Sequence, residues 1–199
     1  LAYNTAPDAG TPVTTGAGRI RPYVHGYSIK DAISAVTTTN EYDVLVNFRV
    51  MSDLTGQGQY IIVYGRLDLS GNYLVVYVSS TFGSAALYAS VGGVETLLGQ
   101  VPMTLGIGDH SVRLKMRVDA IGVDLEGVQQ IYSEDITVSG IGRGGFGFYS
   151  NLGNTVPSSD TTGMQIDDVT VTQMVRTGVT LSGVSATGSL GAVGKAVTA

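Results

Sequence analysis

Period-two alternation of apolar and polar residues, broken about every 8–12 residues by glycine-bearing turns, constrains this chain more than any other feature. Glu41 to Ser52 reads EYDVLVNFRVMS. Val44, Val46, Phe48 and Val50 fall on one face, and Asp43, Asn47 and Arg49 fall on the other with Leu45 and Met51. Asp109 to Val118 repeats the pattern, with Val112, Leu114, Met116 and Val118 as the inward row and Arg113, Lys115 and Arg117 as a basic outward row. A side-chain period of two buries one face and wets the other only in an extended strand. The chain is therefore expected to be all-β.

The rest of the text agrees. Gln59 to Leu67 and Tyr73 to Ser79 are strands joined at Ser70-Gly71-Asn72. Ala85 to Val91 and Val94 to Val101 meet at Gly92-Gly93, a hairpin signal. Ala120 to Gly127 places Val123 and Leu125 inward and Asp124 and Glu126 outward, so its acids can pair with the basic row across the sheet. Ile131 to Val138, Gly144 to Asn151 and Met164 to Met174 complete the set, and Asp31 to Val36 reads as strand rather than helical turn. In GGFGFYSN, glycines between Phe146 and Phe148 point to close backbone packing or strong curvature. Strands of this number and spacing, with no amphipathic helix, predict a two-sheet antiparallel sandwich over residues 19–175.

Both ends differ from this body. Residues 1–18 are rich in Pro, Gly and Thr and read as an extended N-terminal arm. Residues 176–199 set single apolar residues, Val179, Leu181, Val184, Leu190 and Val193, among glycines and small hydroxyls. No large side chain is present, so this stretch builds no core of its own. Pairing with a neighbouring sheet edge would satisfy its amides, and it is expected to be an assembly arm.

The formal charge is −5 and the 11 Lys and Arg are scattered, which argues against a nucleic-acid partner. There is no cysteine, so disulfides and thiolate metal sites are excluded. No apolar run reaches the roughly 18 residues of a membrane span, and Leu1 to Gly10 shows neither the basic start nor the apolar run of a secretory signal.

The succession YDVLVNFRV, YLVVYV, GVETLLGQV, HSVRLKMRVDAIGVDLEG and GGFGFYSN…MQIDDVTVTQ resembles the concanavalin A-like, or laminin-G-like, jelly roll over Arg19 to Thr172. Separately, GVTLSGVSATGSLGAV resembles low-complexity repeats of tailed-bacteriophage structural proteins. Together these resemblances imply a non-enzymatic virion component on the particle surface: a capsid decoration protein, a fibre or a tail-associated adhesin. Its implied partners are major capsid or tail proteins and further copies of itself. The alternative is a carbohydrate-binding module or adhesin for a cell-surface glycan.

Candidate chemistry is sparse. Hydrolases that the jelly roll resembles carry a Glu-x-Asp-x-(x)-Glu strand whose carboxylates serve as acid and nucleophile. Here Glu95, Glu126 and Glu134 are isolated, and Glu41 with Asp43 lacks a third acid. His25 and His110 are the only histidines and are expected to be structural. Gly142 to Gly145 leads into a strand, so it aims no helix terminus at a phosphate. Asp167-Asp168 is the best acidic pair for a calcium ion. Alternation places Asp167 inward and Asp168 outward, which favours a structural carboxylate and no cofactor. Tyr60, Tyr64, Tyr73, Tyr77 and Tyr88 lie on neighbouring strands, and tyrosine suits either a protein interface or a sugar. In an assembly protein the interface reading comes first.

Overall fold

The computed structural model describes residues 2–4, 13–14, 19–21, 28–36, 39–54, 58–68, 70–150 and 161–174. They form fourteen strands: β1 (Ala2–Asn4), β2 (Val13–Thr14), β3 (Ile20–Arg21), β4 (Ser28–Val36), β5 (Tyr42–Val50), β6 (Gln59–Leu67), β7 (Tyr73–Ser79), β8 (Ser84–Val91), β9 (Val94–Pro102), β10 (Gly108–Met116), β11 (Ile121–Leu125), β12 (Val128–Ser133), β13 (Arg143–Ser150) and β14 (Met164–Gln173). No helix occurs among the described residues. One antiparallel sheet runs β1-β4-β13-β6-β7-β8-β9 and the other β12-β11-β10-β5-β14-β3-β2. Side chains are described for five strands of each sheet, β13 and β6–β9 in the first and β12, β11, β10, β5 and β14 in the second.

The core fills the space between the sheets. The inward rows of β5 and β10, including Val44, Phe48, Leu114 and Met116, meet Ile61, Val76, Leu87 and Phe146 of the other sheet, all at most 1% exposed. The alternation of β5 and β10 thus means what it says, with one exception. Val118 is not part of the inward row and is 43% exposed. Strand β10 ends at Met116, and the Arg117 amide donates to the Ala120 carbonyl, closing a tight turn with Val118 at its tip.

Turns follow the glycines. Gly92 and Gly93 both have positive φ (59° and 83°) between β8 and β9, a conformation glycine adopts without steric cost. The β6–β7 turn is tied by Asp68, which accepts from the Ser70 and Asn72 amides and from the Asn72 side chain. Glu126 (φ 51°) and Gly127 (φ 78°) turn the chain straight into β12, so that strand spans Val128–Ser133 rather than the expected Ile131–Val138. A β-carbon on Gly144 would come within 2.7 Å of Val44 Cγ2, the close approach expected of the GGFG segment.

Two stretches of the expected N-terminal arm are edge strands of the domain itself: β1 pairs with β4, and β2 pairs with β3. The C-terminal arm residues Val179, Leu181, Val184, Leu190 and Val193, and His25, lie outside the described residues.

Candidate functional site

The two sheets present different outer faces, and the difference locates the site. On the sheet built around β5 and β10 the outer face is a charge lattice. Arg49 pairs with Asp109 at 3.1 Å, Lys115 with Asp124 at 2.6 Å and Arg117 with Asp43 at 2.7 Å. Two members of the expected basic row, Lys115 and Arg117, are thus neutralised across the strands, and Arg113 stands exposed opposite Asp124 in the register, as on a solvated sheet face.

The outer face of β6–β9 has no such lattice. The 33 residues of these strands contain two charged side chains, Arg66 and Glu95. Arg66 does not reach this face. Its φ of 51° breaks the alternation of β6, and its side chain turns into the end of the sandwich, where it is 2% exposed. There the guanidinium donates to the carbonyls of Val138 (2.8 Å), Asn40 (3.1 Å) and Arg117 (2.5 Å). Burial lowers its pKa from the ordinary arginine value, opposed by Tyr42 and Glu41.

What remains outward on β6–β9 is aromatic and small. Cross-strand register sets Tyr60 opposite Ser79 and Ser79 opposite Ser84, then Ile62 opposite Tyr77 and Tyr77 opposite Ala86. Tyr64, Val75 and Tyr88 form the next row. Small residues therefore lie between large rings and leave a trough of about 540 Å³. Its lining includes Tyr60, Tyr64, Tyr77 and Tyr88, together with Phe82, Glu95, Gln100 and Tyr149. Tyr73, the fifth tyrosine singled out in the sequence, stands beside the trough and packs edge-on against Tyr64 at 5.6 Å.

The rings hold one another in place. Tyr60 meets Tyr149 edge-on at 5.0 Å and Phe82 at 6.3 Å, and Tyr77 meets Tyr88 at 5.7 Å. Such packing fixes ring orientation before any ligand arrives. The polar groups are few. Glu95 Oε1 accepts hydrogen bonds from the hydroxyls of both Tyr73 (3.0 Å) and Tyr77 (2.8 Å). Gln100 Nε2 donates to Ser84 Oγ at 3.0 Å. An apolar trough with a few convergent polar groups suits a ligand that is amphipathic and ring-shaped.

Sequence reasoning missed four of these participants. Phe82 sits in the β7–β8 turn, 71% exposed, where a single aromatic carries no periodic signal. Tyr149 joins only because β13 pairs with β6 across the sheet, from Arg143↔Leu67 to Ser150↔Gln59. Glu95, read as isolated, and Gln100 enter from the next hairpin arm.

The other candidates are committed elsewhere. Asp167 is not inward: it is the extra residue of a bulge in β14, where Ile166 faces Phe48 and Asp168 already faces Asn47. Both aspartates are exposed. Asp167 pairs with Arg19 at 3.2 Å and Asp168 accepts from the Thr170 hydroxyl. Among the described residues no group of three or more His, Asp or Glu is placed to hold a metal ion. His110 stacks on Phe48 at 5.5 Å, with Nδ1 3.0 Å from Glu126 and Nε2 2.8 Å from the Gly106 carbonyl. Asp43 is bound to Arg117, and Glu41 accepts from the Val118 amide.

The same architecture occurs in known structures. The chain is similar to a carbohydrate binding module, CBM66, from Bacillus subtilis, with a TM-score of 0.62 and 14% identity over 82% of this chain and 92% of that one. The chain is a jelly-roll β-sandwich. The Emp47p carbohydrate recognition domain is similar at TM-score 0.59 and 14% identity, covering 87% of this chain and 89% of that one. A β-glucanase of Bacillus licheniformis is similar at 0.57 and 9% identity, covering 87% and 92%. No protein-family model matches the chain, and no curated protein does. At such identities the likeness is one of fold, and function has to be argued from the site.

Proposed function

We propose that this jelly-roll domain is a non-enzymatic carbohydrate-binding domain that holds a saccharide in the tyrosine trough of β6–β9. The observation that carries the reading is the contrast between the two outer faces. One is laced with ion pairs, whereas the other carries a single charged side chain, Glu95, and is floored with serine, alanine and packed tyrosines. A sheet face kept this poor in charge in water costs solubility unless it is used.

A sugar fits the chemistry offered. Its C–H faces pack on aromatic rings while its hydroxyls donate to a carboxylate and bond to amides and phenols. Tyr60, Tyr77, Tyr88 and Tyr149 supply rings, and Glu95 and Gln100 supply polar contacts. The volume of about 540 Å³ lies within the range of small-ligand sites. A recessed trough of this kind favours a ligand over the flat protein interface that the tyrosines alone suggested. Glu95 is the one carboxylate among the described residues lining the trough. Glycoside hydrolysis ordinarily requires two facing carboxylates, so the reading is binding without cleavage.

A virion role rests chiefly on the resemblance carried by the C-terminal segment, which lies outside the described residues, and the names of the similar structures do not point to one. The glycan reading rests on described residues and is the one adopted. A glycan array probed with the full chain and with the Tyr77→Ala/Tyr88→Ala double variant tests it. The wild type is expected to retain specific glycans and the variant to lose them. Equal retention by both, or saccharide cleavage by the wild type, would remove the proposal.

A further inference from the structure

We infer that the trough selects uncharged saccharides and rejects those carrying carboxylate or sulfate groups. The inference rests on the carbohydrate-binding reading and narrows it to a ligand class. Its basis is the sign of the charge in the trough. Recognition of an anionic sugar needs a cation, usually an arginine fork or a lysine, at the anion's position. The described residues lining the trough include no lysine, arginine or histidine.

The one arginine of the four strands is held away from it. On strict alternation from Tyr60 through Ile62 and Tyr64, residue 66 would point outward. Instead Arg66 takes a positive φ and spends its guanidinium on three backbone carbonyls at the end of the sandwich. The charge left in the trough is the exposed carboxylate of Glu95. Oε1 already accepts from two tyrosine hydroxyls, and no described cation is paired with it. The carboxylate can still accept from sugar hydroxyls, which is attractive for a neutral ligand. Toward a uronate or sulfate it is repulsive. Two unit charges about 6 Å apart in a half-wetted trough repel enough to weaken binding about tenfold.

The test is an array of matched neutral and acidic glycans, with each hexose oligomer printed beside its uronic-acid counterpart and each neutral chain beside its sulfated form. Titration calorimetry of the full chain at low salt follows on the best pair. Retention confined to neutral members, with the acidic partner bound at least about tenfold more weakly, supports the inference. Two variants probe the cause: Glu95→Gln and Gln100→Lys are each expected to narrow the neutral-to-acidic ratio to within about threefold. Raising the salt concentration should narrow it in the wild type as well. Acidic glycans bound as well as or better than neutral ones would overturn the inference and leave the binding domain standing. An unchanged ratio in both variants would overturn the assignment of the rejection to Glu95. No retained glycan of either class would overturn this inference together with the reading beneath it.

Discussion

Replacing Arg66 by methionine keeps most of the apolar stem and removes the guanidinium. The structure sets the scale of the loss. Three donated bonds disappear, of 2.8, 3.1 and 2.5 Å, to the carbonyls of Val138, Asn40 and Arg117. Hydrogen bonds from a charged donor contribute about 1.5 kcal/mol each at the low end, so about 4–5 kcal/mol is at stake. Against this stands the guanidinium Nε, which is buried with no hydrogen-bond partner; removing that unsatisfied donor returns about 1–2 kcal/mol. The net expectation is a destabilisation of about 3 kcal/mol, a sizeable part of a typical domain's stability. With a urea slope of about 2 kcal/mol/M the midpoint falls by about 1.5 M. Urea titration followed by tyrosine fluorescence and far-UV circular dichroism measures it. Arg66→Lys should fall between wild type and Arg66→Met, because one ammonium cannot span three carbonyls. A methionine variant within about 1 kcal/mol of wild type would refute the reasoning, since it would mean the carbonyls find water or each other without cost.

Three further outcomes are expected. Gly142→Ala should destabilise by about 2–3 kcal/mol, because the new β-carbon would lie 2.4 Å from the Arg66 carbonyl carbon and 2.6 Å from its Cα, neither of which can swing away; thermal melting checks it. Phe82→Ser should leave stability within about 0.5 kcal/mol of wild type while weakening saccharide affinity about tenfold by calorimetry, since Phe82 is 71% exposed yet lines the trough. Asp68 and Asp135 both have lowered pKa values, held down chiefly by side-chain hydrogen bonds from Asn72 and Thr137 respectively. Their contribution is therefore present above the ordinary aspartate value and lost as pH falls through the lower folded values. Urea midpoints should drop below about pH 4, and the drop should be shallower in Asp68→Asn/Asp135→Asn.

The sandwich was legible in the sequence because its strongest strands are half-buried. β5 and β10 each alternate, and their register, Val112↔Val46 and Leu114↔Val44, puts the two apolar rows on the same face. Tyr60, Tyr64, Tyr77 and Tyr88 were legible as a group for another reason: β6 to β9 are consecutive antiparallel neighbours joined by short turns, so nearness in sequence becomes nearness on the sheet. Two kinds of local event escaped the reading: strands that end or turn early, as at Val118 and before β12, and a departure from period two within a strand. The bulge at Asp167 is such a departure: it rotates the side chain to the opposite face, and the residue type does not announce it. Tyr149 was out of reach for the complementary reason. β13 lies beside β6 through a long-range pairing, and residue spacing carries no record of which strand will be the neighbour.

The most direct test of the trough is chemical-shift mapping of the isotope-labelled chain titrated with the tightest saccharide from the array. The account expects the changes to concentrate on Tyr60, Tyr64, Tyr77, Phe82, Tyr88 and Glu95, with Asn47, Arg113 and Asp124 on the opposite sheet unmoved. Changes centred on the charged face of β5 and β10, with the tyrosines silent, would contradict it.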